Sequence, residues 1–514
     1  MPECDGVCEV CTKVARQFCS SCRSVFYCSR ECQKQDWKTH KGKCKPYTVQ
    51  NHPVYGRHMV AARDIRAGEI IFKEAPVVVG PRQGSAPLCL GCHRAIDGSY
   101  ACHACHYPLC GPKCQASPLH KGECAVLSRA QTPLSVTHYD LPCPAYDCIT
   151  PLRCLLLRGA PDARPWEALT QLQDHEEELR GSQMHGIVQR DIVEFLRGFM
   201  GYEGASEKEI YRICGILVTN SFDVRQSGSL IRGLYPQAAM MCHQCAPNTK
   251  HCFTKDLTMV LRAMVVIHKG TAITTTYTNT LWNTAQRRRQ LQLNKFFLCS
   301  CQRCLDPTEL GTHFSTVLCE ECGGHLLPTT PLDADAAWTC GKCAKSMTAK
   351  TVFWGDQILH KELSALEQTQ AKPFQDFLDH YSKTLHPGHR FCVEAKHALV
   401  KIYGSPHHRY RDLTPEQLDN KIKYCRELVQ VAEVVAPGLS LLRGAILLEL
   451  QAALVAAARL LLSNGAITLQ ASKDYMTEAV KLLKEATEIL RQEPEMEDGG
   501  LDETLKKLSE ELDL

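Results

Sequence analysis

The sequence predicts an α+β protein of several packed units, in which small metal-supported modules accompany a β-rich part and a helical domain ends the chain. Cysteine pairs cluster in residues 8–44, 89–124 and 299–343. Apolar residues alternate in residues 56–71 and 272–276, as in strands with one buried face. From Asp356 onward they recur every three or four residues, which is typical of amphipathic helices.

The composition is that of a folded protein. The chain has 514 residues, of which 44% are hydrophobic and 22% charged, with a net charge of +3 at pH 7. These values exclude disordered, collagenous and fibrous proteins, and the length favours about two to four units. No secretory signal is readable at the N-terminus. The most apolar stretch, residues 445–462, contains Glu449 and Arg459, so we expect a bundle helix there rather than a membrane span.

Cysteine is the outlier of the composition. The chain holds 31 cysteines, and disulfides are rare in the reducing compartments of the cell, so we expect these thiols to bind metal. The first cluster contains four ligand pairs: Cys8-x-x-Cys11, Cys19-x-x-Cys22, Cys28-x-x-x-Cys32 and His40-x-x-x-Cys44. Eight such ligands suit two tetrahedral zinc ions, the first pair being joined to the third and the second to the fourth. Zinc binding would then supply the folding energy of a unit with almost no apolar core.

The same ligand order returns further along the chain. The second cluster reads Cys89-x-x-Cys92, Cys102-x-x-Cys105, Cys110-x-x-x-Cys114 and His120-x-x-x-Cys124. A ribbon-like site of four thiolates follows at Cys319, Cys322, Cys340 and Cys343. A third group, Cys299, Cys301 and Cys304, is one ligand short of a tetrahedral site, so its fourth ligand must come from a distance. Together these groups predict about six zinc ions.

Helical periodicity marks two further regions. Residues 127–207 look helical, and prolines interrupt a series of helical segments after Asp356, which predicts a stack of antiparallel helices. The clearest helices span residues 424–436 and 439–462. The helix pairs resemble tetratricopeptide units but lack their signature residues, so a plain helical bundle stays an alternative. We interpret the basic run at residues 287–289 as a solvated face.

Several segments between and after the cysteine clusters carry a family resemblance. They are Gly56-Arg57-His58 at the start of residues 56–71, Gly233-Leu234-Tyr235-Pro236, Cys242-His243-Gln244-Cys245, residues 270–277 and Phe296-Phe297. Both eight-ligand clusters resemble MYND fingers. The order of all these segments resembles the SMYD lysine methyltransferases, in which a MYND finger splits the SET domain and a helical domain ends the chain. The additional N-terminal finger resembles the arthropod branch of that family.

The resemblance implies an architecture for the whole chain. We expect a split SET β-fold with two MYND zinc fingers, a zinc site after the SET domain, a zinc ribbon and a C-terminal helical domain of tetratricopeptide type. The expected boundaries are 1–48 for the first finger, 51–84 for the first part of SET, 85–126 for the inserted finger, 127–207 for a helical insertion, 208–297 for the second part of SET, 298–308 for the post-SET zinc motif, 315–346 for the ribbon and 347–514 for the helical domain.

The resemblance also implies the functional residues. Tyr277 matches the catalytic tyrosine, although an ordinary tyrosine at a strand end is the alternative. The residues that match cofactor-binding positions are Gly56, Arg57, Asn220, Cys242, His243 and Phe297. Phe297 could equally be a core aromatic, and Asn220 a backbone cap. Cys245 is implied as the missing zinc ligand of the third cysteine group.

The reaction that the family carries out sets its own physical requirements. A neutral lysine amine must approach the methyl group of S-adenosylmethionine in line, so the site must position both partners and exclude water. A narrow channel lined by a tyrosine hydroxyl and by carbonyl groups meets that need.

Four departures from the family pattern bear on the cofactor. Cys242 replaces an asparagine that holds the amino-acid end of the cofactor, and a thiol is a poor hydrogen-bonding substitute for an amide. Gln244 replaces a serine, and His58 adds a side chain where the family has glycine. Lys295 stands where an aromatic residue is common. In addition, Thr271-Ala272 replaces an acidic pair.

The leading interpretation is a protein-lysine methyltransferase that uses S-adenosylmethionine and acts on histone or other protein lysines in transcriptional regulation at chromatin. We expect its MYND fingers to bind proline-containing peptides of transcriptional co-repressors, and the chain to be a monomer in the nucleus and cytoplasm, without a membrane partner. The alternative is a zinc scaffold for protein–protein interaction in transcriptional repression whose SET fold turns over weakly or not at all. A DNA-binding zinc protein is disfavoured, because no finger is followed by the spacing of a recognition helix.

Overall fold

The structure is a computed structural model that describes residues 6–19, 25–130, 134, 136–493 and 500–511. It confirms the α+β class, with short β-sheets in the first two thirds of the chain and a helical domain after them.

The first finger consists of two small hairpins and one helix. Its elements are β1 (Gly6–Val7), β2 (Val14–Ala15), β3 (Gln17–Phe18), β4 (Phe26–Tyr27) and α1 (Arg30–Cys44). The β1–β2 and β3–β4 pairs are antiparallel. The side chain of Ser29 caps α1 by accepting a hydrogen bond from the Cys32 amide. The buried core of this finger is small, and apart from cysteines it contains Ala15 and Tyr27.

Strands from two distant parts of the chain form the central β-fold. The first part provides β5 (Tyr47–His52), β6 (Gly56–Ala61), β7 (Ile70–Glu74) and β8 (Val78–Pro81). The second provides β9 (Ser221–Gln226), β10 (Ser229–Leu234), β11 (Cys242–His243), β12 (Thr249–Phe253), β13 (Met259–Ala263) and β14 (Thr274–Thr275). One antiparallel sheet has the order β8-β10-β9 and another the order β12-β13-β7. The split segments therefore complete each other's sheets.

Two further strand pairings position residues that line the cavity described below. Strands β5 and β6 form an antiparallel hairpin, and β11 pairs in parallel with β14. The alternation in residues 272–276 yields a strand of only two residues, β14, and Ala272 just before it forms an isolated antiparallel bridge with Val60 of β6.

The segment inserted between the two β-parts holds the second finger and a set of helices. The helices are α2 (Pro112–Gln115), α3 (Pro118–Leu127), α4 (Ile149–Leu156), α5 (Arg164–Thr170), α6 (Glu176–Arg180), α7 (Gln183–Val188) and α8 (Glu207–Asn220). Two π-helical turns, Gln189–Val193 and Phe195–Phe199, continue α7. Gly215 lets α8 approach the chain closely at Asp174, since an added Cβ would lie 2.0 Å from the Asp174 carbonyl oxygen.

The remainder of the chain is a four-stranded ribbon followed by helices. After α9 (Thr284–Lys295) and α10 (Gln302–Leu305) come β15 (Val317–Leu318), β16 (His325–Pro328), β17 (Trp338–Cys340) and β18 (Ser346–Met347). The helices that follow are α11 (Ala349–Ser364), α12 (Ala371–Tyr381), α13 (Arg390–Ile402), α14 (Pro415–Val435), α15 (Leu441–Ser463), α16 (Leu469–Leu490) and α17 (Leu501–Glu511). From α12 to α17, each helix packs against the next, as expected for a stack of helices.

One of these helices is long and apolar. Among the described residues, Leu441–Ser463 is the single helix whose length and composition would suit a membrane, with a mean hydropathy of 1.9 in its most apolar window. Half of that window is buried inside the protein, where the helix packs between α14 and α16. A core helix of a globular domain has the same properties, so this helix is weak evidence for a membrane span.

The second finger belongs to the main hydrophobic core. Cys89, Cys102 and Cys105 are buried in the same cluster as the central β-fold and the inserted helices, whereas the first finger has a separate core. A buried ion pair stabilises the junction between the second finger and the main core. The Arg153 guanidinium of α4 donates to Glu123 of α3, with 2.8 Å between Nη2 and Oε1. Arg153 also donates to the carbonyls of Val79 and Leu90, both at 2.7 Å.

Replacing Arg153 with methionine should destabilise the junction between finger and core. The buried Glu123 carboxylate would lose its cation, and such a loss costs about 3–5 kcal/mol. Hydrogen–deuterium exchange of α3 and α4 should therefore accelerate strongly. The matched control is Lys372→Met, which removes an exposed pair with Asp376 worth about 0.3–0.5 kcal/mol. Equal exchange in both variants would show that the buried pair does not hold the junction.

Candidate active site and metal centres

Within the described part of the chain, at least five groups of four ligands lie close enough to hold a metal ion, with all ligand atoms of a group within 4.8 Å of one another. They are Cys8, Cys11, Cys28 and Cys32; Cys89, Cys92, Cys110 and Cys114; Cys102, Cys105, His120 and Cys124; Cys245, Cys299, Cys301 and Cys304; and Cys319, Cys322, Cys340 and Cys343. The structure thus brings together the first and third pairs of each finger, and also the second and fourth pairs of the second finger.

The separations within these groups suit zinc. Four sulfurs at the usual Zn–S distance around a tetrahedral ion lie about 3.8 Å apart. The sulfur pairs Cys92–Cys110 and Cys102–Cys124 are each 3.6 Å apart. In the ribbon, Cys319–Cys343 and Cys322–Cys340 are each separated by 3.5 Å. These centres are therefore zinc sites by donor chemistry and by geometry.

The remaining ligand set of the first finger is described in part. The Cys19 and Cys44 sulfurs are 3.5 Å apart, and the His40 ring packs edge-on against Tyr27. Cys22 lies outside the described residues. The Cys19 and Cys44 sulfurs therefore have the separation that a second zinc ion of this finger would need.

A carboxylate orients the histidine ligand of the second finger. His120 Nε2 lies 3.5 Å from the Cys105 sulfur, and its Nδ1 lies 3.4 Å from Glu123 Oε1. Because Glu123 accepts from Arg153 as well, one buried carboxylate connects the metal ligand to the protein core. Such outer partners fix the orientation and tautomer of a metal-bound imidazole.

Buried arginines support the zinc site that contains Cys245. Arg287 lies 3.6 Å from the Cys304 sulfur and donates to Glu309 at 2.8 Å, and Arg303 donates to the Cys245 carbonyl at 3.1 Å. The interpretation of residues 287–289 as a solvated face is therefore wrong for Arg287, which is fully buried. A four-thiolate zinc site has a net negative charge, and these guanidinium groups offset it inside the protein.

The residues predicted to bind the cofactor surround one cavity of about 800 Å³. Its lining includes all six of them, Gly56, Arg57, Asn220, Cys242, His243 and Phe297, together with Tyr277. The strands β5, β6 and β11, the end of α8 and the residues after α9 provide this lining. A volume of this size is typical of sites for small molecules and cofactors.

Tyr277 follows β14 and is fixed at both its backbone and its hydroxyl. The phenol donates a hydrogen bond to the Met241 carbonyl, and the Tyr277 amide donates to His243 Nδ1 at 3.1 Å. Burial raises the pKa of this phenol above its ordinary value, so the hydroxyl is protonated at neutral pH. Asn248, which the sequence did not single out, holds the preceding segment by bonding to the Ala272 carbonyl and the Thr274 amide, both at 2.8 Å.

His243 joins the cavity to the zinc site. Its Nε2 lies 3.3 Å from the Cys245 sulfur, and its other ring nitrogen accepts from Tyr277. This pattern assigns the neutral tautomer with the proton on Nε2. Burial lowers the pKa of His243 to about 4, in agreement with a neutral ring.

The other predicted residues differ in what they contact. The Asn220 side-chain amide donates to the carbonyls of Gln173 and Ile216, each at 2.8 Å. It therefore connects the end of α8 to the segment at Gln173 beside the cavity. Phe297 lies at the rim with 37% of its surface exposed, and its ring meets Tyr277 edge-on. Gly56 has a φ of +62°, which glycine adopts without strain. The Arg57 guanidinium donates to the Gln171 carbonyl.

The replacements at positions 58 and 242 have unequal consequences. His58 packs against His52 and Tyr55 and does not contribute to the described lining of the cavity. The Cys242 thiol does line it, and burial raises its pKa to about 11. This group is therefore a neutral, weak hydrogen-bonding partner where an amide would offer a strong donor and acceptor.

A second cavity, of about 900 Å³, adjoins the first. Five residues line both cavities: Thr219, Asn220, Ala239, Tyr277 and Lys295. The Lys295 ammonium lies 5.6 Å from the centre of the Tyr277 ring. The Thr219 hydroxyl is buried and has no hydrogen-bond partner within the described part of the chain, which leaves it free to bind a ligand in this shared wall.

Comparison with known proteins agrees with this geometry. The family model of the MYND finger matches residues 8–44, and that of the SET domain matches residues 56–278. Over 424 residues the chain is 30% identical to the SET domain-containing protein SmydA-8, isoform A, of Drosophila melanogaster, covering 79% of this chain and 88% of that protein. It is 26% identical to the histone-lysine N-methyltransferase SMYD3 of Homo sapiens, covering 48% and 59% of the two chains.

Among solved structures, the chain is similar to the SET domain of LSMT bound to lysine and AdoHcy. The sequence identity is 12% and the TM-score 0.29, with 93% of this chain and 92% of that chain covered.

Replacing Cys304 with serine should remove one zinc ion and also disturb the cavity. The metal content of the purified chain, measured by native mass spectrometry, should fall by one from about six ions. Hydrogen exchange at residues 242–245 and 274–277 should rise, because Cys245 and His243 connect this zinc site to Tyr277. Cys252→Ser is the control, since Cys252 belongs to none of the five ligand groups. An unchanged zinc count in the Cys304 variant would refute the assignment.

Proposed function

Since this chain belongs to the SMYD-type family of SET and MYND domain proteins, in its arthropod branch, we propose that it transfers a methyl group from S-adenosylmethionine to the ε-amine of a protein lysine. The relative SMYD3 of Homo sapiens is named a histone-lysine N-methyltransferase, and another relative, SMYD2 of Mus musculus, an N-lysine methyltransferase.

The observation that carries the proposal is the convergence of separate parts of the chain on one cavity. Gly56 and Arg57 lie before the inserted finger, Asn220 ends α8, and Cys242, Tyr277 and Phe297 lie in the second β-part or just after α9. These positions are up to 241 residues apart in the sequence, counting from 56 to 297. A protein that acted only as a zinc scaffold for protein–protein interaction would not require these residues to surround a cavity of cofactor size.

The residues of the chain suit both binding of the methyl donor and binding of the acceptor lysine. Bound S-adenosylmethionine would supply an electrophilic methyl group. The backbone near Gly56 and the side chains of Arg57 and Cys242 would hold the cofactor in the first cavity. Tyr277, with a neutral phenol fixed by the Met241 carbonyl, lies in the wall between the cavities, where its hydroxyl and ring would orient the incoming amine. The adjoining cavity would accept the substrate lysine, and the narrow shared wall would exclude water from the transfer.

The first finger is the better candidate for binding partner peptides. Its Val7, Val14, Phe18 and Trp37 side chains are exposed, whereas the second finger contributes its residues to the main core. Exposed apolar groups of this kind suit a proline-containing peptide. In this proposal the chain acts as a monomer in the nucleus and cytoplasm, and its partners are transcriptional co-repressors whose recruitment connects methylation of histone or other proteins to chromatin and transcription regulation.

Calorimetric titration of the zinc-loaded chain with S-adenosylmethionine tests the proposed cofactor. We expect binding, and we expect Cys242→Asn to tighten it by about tenfold, because an amide can form a hydrogen bond worth about 1–2 kcal/mol where the thiol forms a weak one. Cys252→Asn lies outside the cavity and should leave the affinity unchanged. Absence of binding at millimolar cofactor in both the wild-type chain and Cys242→Asn would favour the scaffold alternative.

Tyr277→Phe tests the role of the hydroxyl. We expect the rate of methyl transfer to a lysine peptide library to fall at least about tenfold, or ~1.4 kcal/mol in the barrier, while cofactor affinity stays the same. Tyr235→Phe is a matched control, because the buried Tyr235 hydroxyl also donates to a carbonyl, that of Leu257 at 2.7 Å, but lines neither cavity. Equal rates in the two variants would remove Tyr277 from the reaction.

A further inference from the structure

Lys295, the last residue of α9, brings an amine into the wall between the two cavities. Its side chain lines both of them and reaches over the Tyr277 ring. This is the place at which the amine of a substrate lysine would meet the cofactor in the proposed function. The position is therefore occupied by a lysine of the chain itself.

The contacts of Lys295 are those of a held amine rather than of an ion pair. Its Nζ donates to the Thr219 carbonyl at 2.6 Å and to the Val218 carbonyl at 3.2 Å. Within the described residues, no carboxylate lies within ion-pair distance of it. Burial lowers the pKa of Lys295 to about 8, although the charge of Asp223 acts in the opposite direction. A substantial fraction of this amine is therefore neutral in mildly alkaline solution.

A comparison with Lys421 shows which contacts distinguish Lys295 from a structural lysine. Its Nζ also donates to two carbonyls, those of Val400 and Tyr403, and also lies over a tyrosine ring, that of Tyr410. However, Lys421 forms an ion pair with Glu449 at 2.7 Å and lines neither cavity. Although burial opposes it, the charges of Tyr410 and Glu449 raise the pKa of Lys421. It is a structural, charged lysine, whereas Lys295 lacks the acid and faces the two cavities.

We propose that Lys295 is a methyl acceptor within its own chain, modified by the cofactor bound in the adjoining cavity. This inference rests on the proposed function, since it needs S-adenosylmethionine as the methyl donor. The ammonium first loses a proton to water. The lone pair of the neutral nitrogen then forms the N–C bond, and the S–CH₃ bond breaks with its electron pair remaining on sulfur, which leaves a neutral thioether and a methylated ammonium.

The hydrogen bonds of Lys295 also set the extent of the reaction. A neutral amine has two N–H groups and one lone pair, and Lys295 has two carbonyl acceptors. After one methyl transfer the positively charged nitrogen still has two N–H groups, so both carbonyls stay bonded. A second methyl group would leave one of these partly buried carbonyls without its donor, which is costly. Monomethylation is therefore the expected product.

Mass spectrometry of the zinc-loaded, full-length chain tests the inference. After incubation with S-adenosylmethionine carrying a trideuterated methyl group, we expect a gain in mass of about 17 Da, mapped to Lys295 and absent from Lys295→Arg. Lys421 in the same digest is the internal control and should stay unmodified. The rate per chain should not depend on protein concentration, because donor and acceptor belong to one molecule.

A second measurement does not depend on turnover. Reductive alkylation of the chain with formaldehyde and a borane labels accessible lysines, and S-adenosylhomocysteine, which has no methyl group to transfer, should slow the labelling of Lys295 but not that of the exposed Lys372. Calorimetry establishes independently whether the cofactor binds.

The outcomes separate the inference from the function on which it rests. If the cofactor binds but Lys295 gains no methyl group and no protection, the inference is wrong and the proposed cofactor site stands. If the label maps to another lysine instead, Lys295 is not the acceptor. If the rate of incorporation per chain rises with protein concentration, modification within one chain is excluded. If S-adenosylmethionine does not bind, both proposals fail.

Discussion

The candidate site depends on the two hydrogen bonds of the His243 imidazole. One joins it to the sulfur of Cys245, a ligand of the post-SET zinc site, and the other accepts the amide of Tyr277. A neutral ring can form both bonds at once in a single tautomer, and burial keeps the ring neutral. The metal centre, the parallel pairing of β11 with β14 and the position of the tyrosine are therefore one mechanical unit. We expect a distortion at the metal to reach the cavity through His243, because its ring contacts both the zinc ligand Cys245 and the Tyr277 amide.

Buried guanidinium groups make the thiolate centres compatible with a packed interior. Arg287 and Arg303 offset the charge of the post-SET site and share Glu309, while Arg153 and Glu123 connect the second finger to the central β-fold. The described part of the first finger has a small core of its own, and several of its apolar side chains are exposed. The two fingers thus resemble each other in ligand order but differ in surroundings, one being part of the fold and the other presenting a surface.

Most of the predicted ligand sets lie together in the structure, because the chemistry of metal ligands is local. Two ligands that are two to four residues apart can bind one ion whatever surrounds them, so spacing identified these groups, whereas Cys245 was implied by the family resemblance. Helix ends were less accurate: the helix expected from residue 424 begins at Pro415, where Thr414 and Gln417 cap each other. The burial of Arg287 was not predictable from its neighbours, because a run of three arginines is normally solvated and its acidic partner Glu309 lies 22 residues away. Lys295 could be recognised as unusual, but its two carbonyl partners come from the end of α8, far away in sequence.

The departures from the family pattern lie in or beside the cavities and leave the strand pairing of β11 intact. His58 turns toward His52 and Tyr55, so the added side chain leaves the cavity open. Cys242 keeps the backbone pairing of β11 with Thr274 and changes only the group offered to a ligand. Lys295 preserves α9 up to its last residue, and its amine replaces an aromatic surface in the wall shared by the two cavities. Cys242 and Lys295 therefore change the groups that line the cavities, whereas the zinc ligands lie on other residues. In our proposal, the side chains at positions 242 and 295 are the ones through which cofactor binding and access of the acceptor amine would differ from the family pattern.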